Sequence, residues 1–297
     1  MNSRAQIRLL PDGRRLHLQD GPIDLIVEAF GVPAQIANAY RVACARFETV
    51  LEELCGELSS LRQPCTPYSD WPTGVVARRM MAAVIPYASE YFITPMAAVA
   101  GAVAEEILAA MLAAAQIARA YVNNGGDIAL HLAPGEQFVV GMVERPDRPS
   151  LFGTATIDAN QPVRGIATSG CRGRSFSLGI ADAVTVLADR AAVADAAATI
   201  IANAVDLPGH PAIARVPARE LAPDSDLGDR LVTQAVGNLS LAEVNQALAS
   251  GMNTAARLQR IGLIRSAALA LQGEIRVMSS FSGSISSAVQ ERGLVHA

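Results

Sequence analysis

Apolar and polar positions alternate through Ile7-Arg8-Leu9-Leu10 and Leu16-His17-Leu18-Gln19 on either side of Pro11-Asp12-Gly13, and that alternation predicts a hairpin. Ile23 to Val27 extends it by a third strand within residues 1–30. From Pro33 to Leu61 the period lengthens, with Ile36, Tyr40, Phe47, Val50, Leu51, Leu54 and Leu58 falling mostly three and four apart, which predicts one long amphipathic helix. The Pro/Ser/Thr-rich run from Gln63 to Gly74 closes that helix, and Trp71 is expected to pin the run to the core. A second helical stretch, Val75 to Val84, stops before Pro86. Thr94-Pro95 reads as an N-cap followed by proline at the first helical position, opening an Ala/Gly-rich helix to about Arg119 in which Ala97, Gly101 and Ala104 or Glu105 form a small-residue face.

After that helix the period returns to two. Ala120 to Val122, Ile128 to Leu132, Phe138 to Val143, Gly153 to Ile157, Val163 to Ala167 and Ala183 to Leu187 all read as strands. Asp189 is the expected cap of a helix reaching about Val205. Residues 206–229 are rich in Pro and Asp and patternless, so a loop or lid is expected there. Ser240 with Glu243 forms a capping box for a helix to Leu248, with Gly251 as its stop, and Ala267 to Leu271 with Glu274 to Val277 forms a last hairpin. The Ser-rich tail, 280–297, is expected to be weakly ordered. Strands at both ends and the absence of an internal repeat predict one α+β domain, 1–297, with mixed or antiparallel sheets packed against Ala-rich helices.

Composition narrows the possible functions. The 297 residues carry 24 basic and 28 acidic side chains, a net charge of −4 that offers no basic field for nucleic acid. Hydrophobic residues make up 51% and charged ones 18%, so a large packed core and a soluble chain are expected. Met96 to Ala118 is the most apolar stretch, but Glu105 and Glu106 at its centre and its many alanines favour a buried helix over a membrane span. Cys44, Cys55, Cys65 and Cys171 have neither C-x-x-C spacing nor a His at ligand spacing, so reduced thiols fit. No apolar h-region follows Met1, which leaves a cytoplasmic location as the expectation.

Three segments bear candidate chemistry. Asn123-Asn124-Gly125-Gly126-Asp127 interrupts a strand pattern with two glycines and an acid; it is either a hairpin turn with Asp127 solvated or a place where a ligand approaches the backbone. Thr168-Ser169-Gly170-Cys171-Arg172-Gly173-Arg174 joins hydroxyls, free amides and two guanidinium groups, which suits phosphate oxygens, or else forms a solvated loop. Cys171 beside Arg172 is either a nucleophile or a small buried thiol. Asp195, Thr199 and Asn203 recur every four residues on an otherwise apolar helix. That stripe faces solvent, or its acid pairs with Arg172 or Arg174, or Asp195 and Thr199 supply two oxygens to a hard divalent cation.

Together the segments resemble the ApbE-like superfamily. Asn123 to Ile128 matches its N-x-G-G-D-I, Ala167 to Gly170 its A-x-S-G, Val184-Thr185-Val186 its core strand, and Ala194 to Thr199 its A-D-A-x-A-T, all in the same order over about residues 95–205. Thr94 to Glu106, Gly173 to Val184 and the C-terminal third look closer still to an uncharacterised branch, one with no established reaction.

Characterised members move FMN from FAD onto a Thr or Ser of a target protein. The resemblance therefore implies a magnesium site at Asp195, Thr199 and the Ala167 carbonyl. It also implies a small phosphorylated ligand, FAD or another nucleotide, at Asn123, Gly125, Gly126, Asp127, Thr168, Ser169, Gly170, Arg172 and Arg174. Asp127 and Asp182 are the candidate catalytic acids, no nucleic acid or membrane partner is implied, and a homo-oligomer stays open. Two motifs of the transferases are missing. Only twelve residues separate Gly170 from Ala183, with no H-x-x-D-P-x-T-G among them, and no Met-Gly-Thr stands near the N-terminus. Ligand binding is therefore expected more strongly than FMN transfer, and a non-catalytic protein that keeps the fold is the other alternative.

Overall fold

Nine strands hydrogen-bond into one antiparallel sheet whose order in space follows the order of the chain. The computed structural model describes residues 4–143, 151–279 and 286–287. β1 (Gln6–Leu9), β2 (Leu16–Asp20) and β3 (Ile23–Phe30) make a meander. α1 (Pro33–Gly56), the one-turn α2 (Leu58–Leu61), α3 (Val75–Val84) and α4 (Val99–Ala114) follow, and then the hairpin of β4 (Arg119–Asn124) and β5 (Asp127–Leu132). β6 (Gln137–Val143) and β7 (Leu151–Asp158) leave the sheet as a separate hairpin, and the chain returns as β8 (Gly165–Ser169) and β9 (Ala183–Ala188). After α5 (Ala191–Ala204), a second excursion carries β10 (Ile213–Pro217), the short α6 (Ala218–Leu221) and β11 (Leu231–Val236). α7 (Leu241–Arg260), β12 (Ser266–Leu271) and β13 (Glu274–Ser279) complete the main sheet. Ser286–Ser287, as β14, pair with β7.

Every strand pairing is antiparallel, so of the two sheet types expected only the antiparallel one occurs among the described residues. The helices cover one face. There Leu16, Leu18, Leu25, Val27, Val122, Ala129, Ala167, Val184, Val186 and Leu269 meet the buried sides of α1, α4, α5 and α7 in one core. α5 is the most enclosed helix, with nine of its alanine and isoleucine side chains buried, and small side chains let β8, β9, α4 and α7 lie close around it. On the other face the β6–β7 hairpin covers Leu130, Ile166 and Leu187 through Ala155 and Ile157, a smaller second core. The segment Pro95–Ala114 is long and apolar enough to cross a membrane by length and composition, with a mean hydropathy of 1.7, yet its side chains from Gly101 to Leu108 are largely buried against the sheet and α5.

Several expected elements change in the fold. The long helix breaks at Glu57, whose carboxylate takes the Thr73 and Gly74 amides at 2.8 and 2.7 Å. Trp71, expected to pin this run to the core, is half exposed. Thr94 caps no helix through its side chain; Pro95–Ala98 forms a 3₁₀ turn, α4 ends at Ala114, and Arg119 already belongs to β4. Asp189 does not cap α5, which starts after Arg190, but pairs with Arg265. Residues 206–229, expected as a loop or lid, carry β10 and α6. The Ser240–Glu243 capping box is present, but α7 runs on through Gly251, where the missing side chain admits Val205 and Leu269. Apart from Ser286–Ser287, the tail 280–297 lies outside the described residues.

Candidate functional site

The β4–β5 hairpin closes between Asn124 and Asp127 through Gly125 and Gly126, both with positive φ, at +66° and +114°. Only glycine adopts two such conformations in succession without strain, which is why the turn has this sequence. Asn123 is used by the turn itself: its Oδ1 accepts the Gly126 N–H at 2.8 Å. Asn124 is buried and donates to the Ala100 carbonyl at 3.2 Å, tying the hairpin to the first turn of α4.

Asp127 is not solvated as a hairpin-turn residue would be. β5 pairs with β8 only at Ile128–Ile166 and Ala129–Gly165; the next rung would join Asp127 to Ala167, and there the ladder stops. The Thr168 amide faces the Asp127 carboxylate, while its Oδ1 is buried and has no hydrogen-bond partner. Burial pushes the acid up to about 7, against the opposing pull of the Thr168 amide and the Arg174 charge.

α5 runs beneath β8 and β5 and places Asp195 on the same side. The Asp195 Oδ2 accepts the Gly101 N–H at 3.0 Å, and the Ala100 amide faces it as well. Those amides belong to the first turn of α4, where no intrahelical acceptor exists for them. Burial first, and the nearby charge of Asp127 second, raise the Asp195 carboxyl well above the ordinary range despite these two donors. Among the described residues neither acid has an arginine within ion-pair distance. Thr199, one turn along α5, is half buried and its hydroxyl has no side-chain hydrogen bond among the described residues, while Asn203 accepts the Leu178 N–H at 2.9 Å.

The second segment divides. Thr168 and Ser169 end β8, with the Thr168 hydroxyl 2.9 Å from that of Thr185, and Gly170 turns the chain at φ +150°. Arg174 is exposed, with its guanidinium lying against Gly125 at the rim of the acid pair. Arg172 is directed elsewhere, to Asp182 at 3.1 Å, and the second oxygen of Asp182 takes the Gln272 N–H. Cys171 is half buried and its thiol points to the Ile180 carbonyl. The structure thus brings together Asp127, Ala167, Thr168, Asp195 and Arg174, with Thr199 on the next turn, and it commits Arg172 and Asp182 to each other. The pairing of Asp195 with Arg172 or Arg174, left open by the sequence, does not occur.

The donor set fits a hard cation. The orphaned Oδ1 of Asp127, a neighbouring carboxylate with no arginine in ion-pair contact among the described residues, the Thr199 hydroxyl and the Ala167 carbonyl of β8 are all oxygen donors, the type that magnesium and calcium take. No cluster of three His, Cys, Asp or Glu side chains occurs among the described residues, so a nitrogen–sulfur site is not offered.

The small-residue face of α4 that the sequence marks at Gly101 does receive another backbone, the Ala191–Ala192 peptide of α5. The bond from the Ala192 N–H to Glu105 had no signal, because its partner lies more than eighty residues away in the chain.

Comparison with known proteins comes from three directions. A family model described as "AbpE bacteria" matches residues 7–277. The UPF0280 protein of Methanopyrus kandleri is 43% identical over 129 residues, covering 43% of this chain and 48% of that protein. The UPF0280 protein of Methanococcoides burtonii is 36% identical over 149 residues, 50% of this chain and 58% of that one. The chain therefore spans about half the length of the curated relatives it matches. Among solved structures, a mutant of the flavin transferase ApbE from Vibrio cholerae aligns over 93% of this chain and 97% of its own with 14% identity and a TM-score of 0.38.

Proposed function

The chain belongs to the AbpE bacteria family, and on that premise we propose that it binds a hard divalent cation, magnesium first, together with a small phosphorylated ligand, a flavin or another nucleotide. The observation that carries the reading is the pair Asp127 and Asp195: two half-buried, neighbouring acids, both raised by desolvation, with no ion-pair contact to an arginine among the described residues and with one buried oxygen, the Asp127 Oδ1, left unpartnered. Left alone, a buried carboxylate costs several kcal/mol or takes up a proton. A divalent ion offsets both charges at once.

Asp195, Thr199 and the Ala167 carbonyl would hold the ion, with Asp127 facing it from β5. When bound, such an ion neutralises phosphate charge and polarises a phosphoryl oxygen. The chain's own residues supply the rest. Arg174 stands exposed at the rim with no hydrogen bond to its guanidinium fork among the described residues, and that fork suits phosphate oxygens. Gly125 and Gly126 let a ligand approach the hairpin backbone closely. The helix α5 and the strands β5 and β8 hold both acids on rigid elements of one α+β domain.

Transfer of FMN from FAD is the second reading, and a binding protein without chemistry the third. Magnesium titrated into the protein should raise its melting temperature, and Asp195→Asn should abolish the rise. An equal rise in the variant would remove the site.

A further inference from the structure

Two acids repeat one arrangement where α4 and α5 cross. The Cα of Gly101 rests on the peptide between Ala191 and Ala192, so close that any side chain at 101 would collide with the Ala191 carbonyl. Four residues after Gly101, Glu105 reaches over to accept the Ala192 N–H at 2.9 Å. Four residues after Ala191, Asp195 reaches back to accept the Gly101 N–H at 3.0 Å. Each helix thus satisfies a donor that the other leaves free at its start, and the two carboxylates act as paired clasps about one contact point.

The clasps differ in what else they hold. Glu105 also binds Arg190 at 2.6 Å and Arg79 at 3.3 Å, while Asp195 has no arginine among the described residues and faces Asp127. Glu105 is anchored, and its partner is the one left to take a ligand.

We propose that Glu105 is a positioning residue for the cation site: by fixing the start of α5 against α4 it sets the height at which Asp195 meets Asp127 at the end of the β5–β8 ladder. The inference rests on the cation reading of that site and goes beyond it, because Glu105 lies outside the donor set. Residues that orient a ligand from behind typically change metal affinity by about 10- to 100-fold when removed. Glu105→Gln keeps the acceptor for the Ala192 N–H and gives up the charge together with the second oxygen, which accepts from Arg190 and Arg79. Glu105→Ala removes the clasp.

The test measures magnesium binding by calorimetry on the full chain, and amide exchange at Ala192 and Gly101, in wild type, Glu105→Gln and Glu105→Ala. Glu105→Ala is expected to lose about 10- to 100-fold in affinity and to expose both amides, with Glu105→Gln within about threefold of wild type. Wild-type affinity in Glu105→Ala, or a Gln variant as weak as Ala, overturns the inference. If wild type itself binds no magnesium, the site reading fails and the amides alone decide the positioning claim: faster exchange at Gly101 together with Ala192 upholds it, and a change at Ala192 alone overturns it. Should Glu105→Ala not fold, Glu105→Asp, shorter by one methylene with the charge kept, is read in its place. Unchanged affinity there overturns the claim as well.

Discussion

Arg172 donates to Asp182 at 3.1 Å, and that single bond separates two arginines that stand two residues apart. Asp182 is buried and also takes the Gln272 N–H, so Arg172 ties the loop after β8 to the β12–β13 turn. Arg174 has no such partner among the described residues. Replacing Arg174 with Ala is expected to weaken a phosphorylated ligand by about 1.5–3 kcal/mol, the loss typical of a hydrogen bond to a charged group. Arg172→Ala should instead lower the melting temperature with little change in affinity. A thermal-shift panel of FAD, FMN, ATP and NAD with magnesium identifies the ligand, and calorimetry on both variants checks the split.

The acid pair predicts how stability depends on pH. Both folded-state values lie above the ordinary 3.8, so between about pH 4 and 7 the cation-free folded protein holds protons that the unfolded chain has released. That stabilisation is complete below about pH 4 and is lost as pH rises through 7. A bound cation replaces the protons. Magnesium should therefore raise the melting temperature strongly at about pH 8 and little at about pH 5, and a rise of equal size at both would refute the coupling.

Gly101→Ala places a methyl group against the Ala191 carbonyl, where two helix backbones meet and neither can yield as a side chain would. Overpacking of this kind costs about 1–3 kcal/mol. Urea denaturation should show that loss, and magnesium affinity should fall with it because the Asp195 clasp opens.

FMN transfer should be slow or absent even if FAD binds. The stretch between Gly170 and Ala183 contains no His, and its one acid, Asp182, is held by Arg172 and the Gln272 amide. A missing general base typically costs a factor of about 10²–10⁴. Incubation with FAD, magnesium and an acceptor peptide, followed by mass spectrometry for an FMN adduct and assay of released AMP, decides it. Rapid stoichiometric adduct would establish transferase activity, and sensitivity of a slow rate to Asp127→Asn would identify the acid at work.

Local pattern made much of the frame legible. Alternation located β2 and β5 because each has one face turned to a core, and the Ser240–Glu243 box marked the start of α7 because capping is decided within four residues. What escaped depends on partners distant in sequence. Glu57 breaks the first helix by bonding amides sixteen and seventeen residues on, Gly251 stays helical because Val205 and Leu269 fill its place, and β10 is too short, with a proline at its end, for period two to show. In the site, the spacing of Asp195 and Thr199 was visible along one helix. The environment of Asp127 was not, since it comes from the end of a ladder between β5 and β8, and neither was the reach of Glu105.

The main sheet takes its strands in chain order, and the two hairpins that leave it, β6–β7 and β10–β11, depart and return between spatial neighbours. Lengthening or shortening either hairpin therefore alters no register among the nine strands. Strand order is thus indifferent to the hairpins while packing is not, since β6–β7 rests on Leu130 and Ile166 of β5 and β8 and the β10–β11 hairpin bonds to Ser177 and Leu178, so a change in either hairpin reaches the acids through the layer beneath them rather than through the sheet's register.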